Sequence, residues 1–444
     1  MKISKIALAV SLASVAAPAF AQDEDALRQQ LEQMRAEMAQ MAERMEALES
    51  RLAEPNANPP APSLSAPAEP ENDPSIEFKG MPEIKDKGGW SFKPRGRLQF
   101  DAGTVAAPDG AASDGGFGSE VRRARLGASG KLPGGFGYKV ELDFAGSDLN
   151  VTDAIISYDA GAASLMVGQF NTFQGLEELT SSLHTSFIER AAFTDAFSFE
   201  RRVGAAVVVN KGDVILQSGV FTDNMNDLSN KNWSTDSRLV YQPSIGSATL
   251  HVGGSIHYAE LEQGETVRYR QRPLVHFTSD RFVNTDRMDA VSEFGLGLEG
   301  AFIAGPIHAV AEAYWQNVDV RTAAVDPTFF GGSVEVGYFL TKDDTRTFKG
   351  GNFGRTKPAN PVGEGGFGSL QINARYDRLD LSDAGIIGGT QDGYFASLVW
   401  KPTDYTMLLA NYGRLEYADA VLPTATGDRD YGVDVLAVRA QVDF

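Results

Sequence analysis

Hydrophobic and polar residues alternate along most of this 444-residue chain. The alternation is clearest at 436–444, where apolar residues hold the even positions while Arg439, Gln441 and Asp443 hold odd ones. At 138–144 every intervening residue is charged. A soluble core could not accept such a second face, whereas a lipid-facing apolar band around a polar interior requires it. The pattern predicts an all-β fold, a transmembrane antiparallel β-barrel with a wet interior.

Sixteen segments carry this alternation, and sixteen strands enclose an aqueous lumen. Short turns alternate with long polar stretches around 104–117, 223–233, 261–291, 343–364 and 418–428. This alternation predicts short turns at one end of the barrel and long loops at the other. The predicted strands lie near 92–103, 118–130, 135–145, 151–159, 162–170, 200–210, 213–222, 234–242, 246–260, 292–303, 305–317, 331–342, 366–381, 390–401, 403–417 and 429–444.

The N-terminus has the features of a secretory signal peptide. Lys2 and Lys5 precede an apolar run at 6–17, and Ala19-Phe20-Ala21 provides a small-residue cleavage site. The apolar run is too short to span a bilayer as a helix. We predict that residues 1–21 are removed and that the protein resides in the outer membrane of a Gram-negative type cell.

Residues 22–53 repeat apolar side chains every three or four residues, which predicts a periplasmic coiled-coil helix. An amphipathic helix packed on the rest of the chain is the alternative. The repeat leaves dimer and trimer open. Residues 54–75 contain seven prolines and predict an extended linker, so that the barrel occupies 76–444. The repeated positions are Leu27, Leu31, Met34, Met38, Met41, Met45, Leu48 and Leu52.

Composition excludes several functions. Residues 1–89 hold 9 of the 40 basic and 15 of the 59 acidic side chains, which leaves 31 and 44, a balance of −13, for residues 90–444. Nucleic acid is therefore not an expected partner. The chain has no cysteine, its five histidines lack metal-ligand spacing, and no nucleophile or phosphate-loop motif occurs. We predict a channel rather than an enzyme, with no catalytic residue, cofactor or metal.

The segment 171–199 differs from the other connections because it mixes charged residues with five phenylalanines. A segment that contains both charged and aromatic residues is expected to pack against another part of the protein. Periodicity leaves two interpretations equally open, a loop that enters the lumen and narrows it, or a long external loop.

Several motifs resemble the phosphate-selective porin O and P family. They are 169–182 (QFNTFQGLEELTSS) with Phe187-Ile188-Glu189-Arg190-Ala191, then 122–131 (RRARLGASGK), 270–273 (RQRP), Gly305-Pro306, 338–341 (YFLT) and 375–381 (RYDRLDL). The resemblance implies a homotrimer of sixteen-stranded barrels whose third loop folds inward and which passes phosphate or polyphosphate. It implies a constriction loop at about 171–199 that includes Phe173, Gly175, Leu176, Glu177, Glu178 and Glu189.

Arginine suits an anion path because its planar, permanently charged group can hold phosphate oxygens through two bonds. The alternative for each cation is an ion pair with acids such as Glu120, Glu141 or Asp143. On a strand, 268, 270 and 272 would form an arginine row; on an external loop they would meet lipopolysaccharide phosphates or acids. The candidate anion-binding residues are Arg122, Arg123, Arg125, Lys139, Arg190, Arg201, Arg202, Arg268, Arg270 and Arg272.

Three functional hypotheses follow. The first is a passive porin for small anionic solutes, embedded in outer-membrane lipid and lipopolysaccharide. The second, motivated by the −13 balance, is a general or cation-preferring porin. The third is a structural tether in which the N-terminal helix and linker contact the cell wall.

Overall fold

The computed structural model describes residues 74–227, 232–321 and 324–444, together with Ala39, Gln40 and Glu43. The chain divides into two compact units, Met1–Glu71 and Asn72–Phe444. The predicted signal peptide (1–21), the coiled coil (22–53) apart from those three residues, and nearly all of the linker (54–75) lie outside the described residues. Within the described part, no helix is long and apolar enough to cross a membrane.

The second unit is a closed antiparallel barrel, and the predicted count of sixteen strands is confirmed for the described residues. Each strand pairs with its neighbours in the chain, and the last pairs with the first. The strands are β1 Ser91–Ala106, β2 Gly116–Leu132, β3 Phe136–Asp143, β4 Asn150–Asp159, β5 Ala163–Asn171, β6 Arg201–Lys211, β7 Val214–Phe221, β8 Trp233–Tyr241, β9 Ala248–Glu260, β10 Met288–Ala304, β11 Ile307–Val320, β12 Thr328–Phe339, β13 Ser369–Asp383, β14 Ile386–Thr403, β15 Thr406–Ala418 and β16 Tyr431–Asp443.

The barrel closes between β16 and β1. Ten residues of each strand pair, from Asp434 opposite Ala106 to Asp443 opposite Arg97. Beyond them, the backbones of Phe444 and Gly96 exchange two hydrogen bonds of 3.0 Å. The C-terminal strand is therefore paired to its last residue.

The two predicted faces of β16 are confirmed. Leu436 is 54% exposed on the outer wall, whereas Arg439 is 1% exposed in the interior. The same alternation runs along the other strands, because successive side chains of a strand point to opposite faces. The outer wall is therefore apolar and the interior contains the charged side chains.

Short connections join the strands at the end that also holds the start of β1 and the end of β16. In outer-membrane barrels the short turns face the periplasm, so we call this the periplasmic end. One prediction is wrong here, because the long stretch 343–364 belongs to the connection 340–368 at this end. It folds into the lumen, where Arg238 donates to the carbonyl of Gly351 (2.9 Å) and Arg346 donates to Ser186 Oγ (2.9 Å).

Part of the lumen is dry. Helix α2 (Ala192–Ala196) and the residues after it pack aromatic rings against the inner wall of β11 and β12. Tyr314 lies 4.7 Å from Phe199 and 5.8 Å from Phe197 between ring centroids, and Phe197 lies 5.4 Å from Tyr269 of the connection 261–287. Aromatic rings therefore fill the lumen along this wall, whereas most of the open space lies along β1–β7.

The remaining elements are short. Helix α1 is Leu176–Leu179. Eight further short strands lie outside the barrel order or at its ends in the described residues: Ser75–Lys79, Met81–Lys85, Ser244–Ile245, Thr266–Val267, Arg270–Gln271, Val283–Asn284, Phe348–Lys349 and Asn352–Phe353.

Candidate functional site

The connection 172–200 between β5 and β6 crosses the lumen and binds the opposite wall. The backbone N–H groups of Leu176 and Glu177 donate to the carboxylate of Glu312 on β11, at 3.0 and 2.7 Å. The N–H of Ile188 donates to Asn411 Oδ1 on β15, at 2.7 Å. This connection lies inside the barrel rather than outside it, and it narrows the pore.

Gly175 makes the approach to Glu312 possible. Its φ is +126°, a backbone conformation that residues with a side chain rarely adopt. A Cβ at this position would lie 2.7 Å from the Glu312 carboxylate. Glycine is therefore required where the loop meets the wall.

Arg190 braces the loop from within. Its guanidinium donates to the backbone carbonyls of Glu177 and Thr180, both at 2.8 Å, and pairs with the Glu178 carboxylate at 3.4 Å. Phe173 anchors the start of the loop on Phe221 of β7, with ring centroids 6.0 Å apart. The loop is thus held by its own contacts as well as by the wall.

Two neighbouring arginines of β2 both point into the lumen. The register between β1 and β2 shifts by one residue, because Gln99 pairs with Arg123 while Phe100 pairs with Val121. Arg122 is the extra residue of this β-bulge. It donates two hydrogen bonds to Glu189 of the loop (2.7 and 3.1 Å), and Arg123 donates to Gln99 Oε1 (3.0 Å). The bulge doubles the density of cations at this depth.

Two cavities lie on either side of the constriction along this wall. The larger, about 730 Å³, opens towards the long loops, and the smaller, about 380 Å³, lies on the periplasmic side of Arg190. Four residues line both cavities, and all four are arginines: Arg123, Arg125, Arg190 and Arg201. The passage between the cavities is therefore bounded by arginine side chains.

Most of these cations have carboxylate partners. Arg125 pairs with Asp143 (2.7 Å) and Glu141 (3.1 Å). This is the ion-pair alternative that the sequence analysis gave for each candidate cation. Arg201 and Lys139 both pair with Asp153, Arg201 at 2.9 Å. These pairs partly cancel the positive potential of the passage.

Arg123 differs from its neighbours. It is 6% exposed, its one hydrogen-bond acceptor is the neutral Gln99, and it makes no salt bridge within the described residues. Five N–H donors on a buried guanidinium cannot be satisfied by a single amide. Arg123 therefore has N–H donors that no carboxylate of the described residues accepts, and it lies where the two cavities meet.

Two glutamates of the loop respond differently to their surroundings. Burial opposes ionisation of Glu189, but Arg122 and Arg123 hold its pKa well below the usual range. Burial raises the pKa of Glu178, against the opposing charge of Arg190. Glu189 is therefore held in its negative form, whereas Glu178 takes up a proton at a higher pH than an ordinary glutamate does.

The remaining predicted cations lie away from the junction of the two cavities. Arg202 and Arg268 line a third cavity of about 290 Å³, where Arg202 pairs with Asp223 at 3.5 Å. Arg272 lines the larger cavity of the passage, and Arg270 is exposed. Because 268–272 lies in the connection 261–287 and not on a barrel strand, the three side chains form no row.

A model of the phosphate-selective porin O and P family matches residues 92–444. The chain belongs to this family. A relative from Caulobacter vibrioides, described as an uncharacterized protein, is 44% identical over 400 residues, which cover 87% of this porin and 79% of the relative.

Solved structures with low sequence identity share the fold of this porin. OmpT of Vibrio cholerae, an outer membrane protein, matches as a loop L8 deletion mutant (12% identity, 80% of this chain, 100% of that chain, TM-score 0.53) and in a trimer form (13%, 80%, 100%, 0.50). The anion-selective porin from Comamonas acidovorans has 13% identity over 80% of this chain and 100% of that chain, with a TM-score of 0.50. The protein is an outer-membrane porin channel.

Sequence reasoning missed two arginines, one that lines the porin's passage and one buried beside it. Arg97 lines the smaller cavity and pairs with Glu141 at 3.0 Å, and the alternation of β1 could have placed it beside Gln99 on the inner face. Arg439 holds Asp101 through two bonds of 2.7 Å and reaches Glu189 at 3.2 Å. The alternation of 436–444 placed Arg439 on the polar face, but no motif marked it as a candidate anion-binding residue.

Proposed function

We propose that this porin passes small anions, phosphate among them, by passive diffusion through the arginine-lined passage. The observation that carries the proposal is that the four residues shared by the two cavities are all arginines. A permeating anion must pass these four guanidinium groups. Arg123, which has no carboxylate partner in the described part of the chain, offers charge-assisted hydrogen bonds of the kind that hold phosphate oxygens.

The −13 balance of the barrel does not oppose this proposal, because selectivity depends on where the charges lie. Acids along the passage are paired with arginines, as at Glu141, Asp143 and Asp153. Exposed acids on the loops are screened by salt within about 10 Å at 0.1 M ionic strength. The local potential at the junction of the cavities is therefore set by arginine.

Planar-bilayer recording of the purified protein tests this proposal. Under a potassium chloride gradient, we expect a reversal potential of the sign that reports chloride permeation. Replacing chloride by phosphate should reduce the current without reversing the preference. A reversal potential of the cation-selective sign would overturn the proposal.

A general or cation-preferring porin is the second candidate. This candidate is favoured by the larger cavity, whose lining contains six acidic residues and six arginines. The same reversal potential separates the two candidates. The acids are Glu120, Asp143, Glu178, Glu189, Asp195 and Glu200, and the arginines are Arg122, Arg123, Arg125, Arg190, Arg201 and Arg272.

The porin family and barrel fold support a channel rather than an enzyme.

We also propose a homotrimer, which the trimer form of the Vibrio cholerae protein supports. Barrels held side by side would bring three N-terminal helices (22–53) to high effective concentration. A monomer mass in mild detergent would contradict this assembly.

Residues 1–21 are proposed to be removed as a signal peptide, which mass determination of the mature protein tests.

Residues 22–75 are proposed to reach through the periplasm towards the cell wall. Deleting 22–75 should weaken envelope integrity and leave conductance unchanged; normal integrity would remove the tether.

A further inference from the structure

A hairpin formed by Ser75–Lys79 and Met81–Lys85 continues the barrel wall at the periplasmic end. Its second strand pairs with the start of β1, where Ile84 lies opposite Phe92 and Lys85 opposite Ser91. The pairing of β16 with β1 ends at Phe444 and Gly96. The hairpin therefore pairs with the start of β1, beyond the point where the pairing with β16 ends.

One face of this extension is apolar. Residues directly opposite each other in antiparallel strands share a face. Ile76 is opposite Ile84, which is opposite Phe92, so these three side chains form one row. Phe78 and Pro82 form the adjacent row. Phe78 is 77% exposed and Ile76 is 56% exposed, so no described part of the chain covers this face.

The apolar face is continuous with the lipid-facing wall. The register between β1 and β2 is regular from Lys93 to Gln99, so Phe92 has the same parity as Leu98, which is exposed on the outer wall. The turn of the hairpin lies against Tyr405, because a Cβ on Gly80 would lie 2.8 Å from that ring. Tyrosine is enriched at the boundary between acyl chains and headgroups. This contact places Phe78, two residues before the turn, near the membrane boundary.

The opposite face of the hairpin is charged. Lys85 pairs with Glu77 at 3.0 Å and with Glu83 at 3.5 Å. An uncovered patch with several large apolar side chains on one face, backed by charges on the other, is typical of a surface that meets a membrane or a partner. Continuity with the lipid-facing wall favours the membrane.

We propose that the apolar face of the hairpin, formed by Ile76, Phe78, Pro82, Ile84 and Phe92, is seated in the periplasmic leaflet of the outer membrane, against phospholipid acyl chains close to the headgroups. The charged face with Glu77, Glu83 and Lys85 faces water. The hairpin thus anchors the N-terminal end of the barrel unit at the bilayer surface.

Site-directed spin labelling of the full chain tests the proposal, and the absence of native cysteine makes each label unique. Three variants, Phe78→Cys, Glu77→Cys and Leu98→Cys, are labelled with a nitroxide and reconstituted in phosphatidylethanolamine–phosphatidylglycerol bilayers. Collision rates are measured with oxygen, which concentrates in lipid, and with a water-soluble nickel chelate. Leu98→Cys is the lipid reference, and Glu77→Cys is the matched control on the opposite face.

The expected oxygen-to-nickel ratio at Phe78→Cys is close to that at Leu98→Cys and several-fold above that at Glu77→Cys. A ratio at Phe78→Cys equal to that at Glu77→Cys overturns the proposal, because the face would then be in water. A label at Phe78→Cys that neither reagent reaches also overturns it, because a protein surface such as a second copy would then cover the face. Unchanged single-channel conductance shows that each labelled barrel is folded.

Discussion

The two sides of the lumen are built from different chemistry. Along β1–β6 the inner wall carries paired charges and an open passage, whereas along β10–β12 it carries Tyr314, Phe329 and the aromatic rings packed on them. The constriction loop contacts both sides, with Glu189 on the charged side and Phe193 on the aromatic side. The aromatic side packs against the loop, whereas the charged side also lines the open cavities; under the proposed function, the charged side acts on the permeating ion.

The largest effect is expected from the dry side, at Tyr314→Ala. Tyr314 is buried against Phe193, Phe197 and Phe199, and removing a buried aromatic side chain costs about 3–5 kcal/mol. We expect a lower denaturation midpoint and a larger single-channel conductance with unchanged ion preference. Tyr394→Ala on the lipid-facing wall is the control. Equal midpoints for the two variants would contradict the holding role of this side.

The second effect is expected from the wet side, at Arg123→Gln. The substitution removes a guanidinium that lines both cavities and makes no salt bridge within the described residues, so the permeability ratio of chloride to potassium should fall several-fold while the denaturation midpoint changes little. Reversal potentials measure the ratio. Arg270→Gln, on an exposed loop residue that lines none of the three cavities, is the matched control and should behave as the parent does. An unchanged ratio in Arg123→Gln would remove Arg123 from the ion path.

A smaller effect is expected where the loop meets the wall, at Glu312→Gln. An amide can accept the N–H groups of Leu176 and Glu177 through one oxygen only, and a lost hydrogen bond typically costs about 0.5–1.5 kcal/mol. We expect a noisier open-channel current, which single-channel traces record, because the loop is held less firmly. Glu416→Gln, on the outer wall, should leave the noise unchanged.

The smallest effect is a dependence on pH. Burial raises the pKa of Glu178, so this group is neutral below its raised pKa and negative above it. The ordinary pKa of glutamate is 4.5. As the pH falls from neutral towards this value, Glu178 in the larger cavity loses its negative charge, and the preference for anions should rise. Reversal potentials across this range measure the effect in the parent and in Glu178→Gln. A parent-to-variant difference that is constant with pH would contradict this assignment.

The alternation of the chain predicted the strands well because side-chain direction in a strand is a local property. Every predicted segment overlaps one barrel strand, and the two faces of β16 followed from parity alone. The bulge at Arg122 could not be predicted in this way. Parity places Arg122 and Arg123 on opposite faces, whereas the one-residue register shift turns both inward.

The candidate cations were partly predicted because the family's motifs mark their segments, but their roles were not. Arg190 is a brace for the loop as well as a lining residue, and Arg202 and Arg268 lie at another cavity. Which arginine lacks an acid depends on contacts between distant strands and loops. No motif at Arg123 signals that its partner is Gln99 and not a carboxylate.

The sequence by itself determined a barrel of sixteen strands with an apolar outer wall, because a two-residue period and turn residues act over short distances. Only the tertiary structure decided that 172–200 and 340–368 both enter the lumen, that aromatic rings fill one side, and that four arginines bound the passage on the other. These features depend on pairs such as Leu176 with Glu312, 136 residues apart, which meet because the barrel closes.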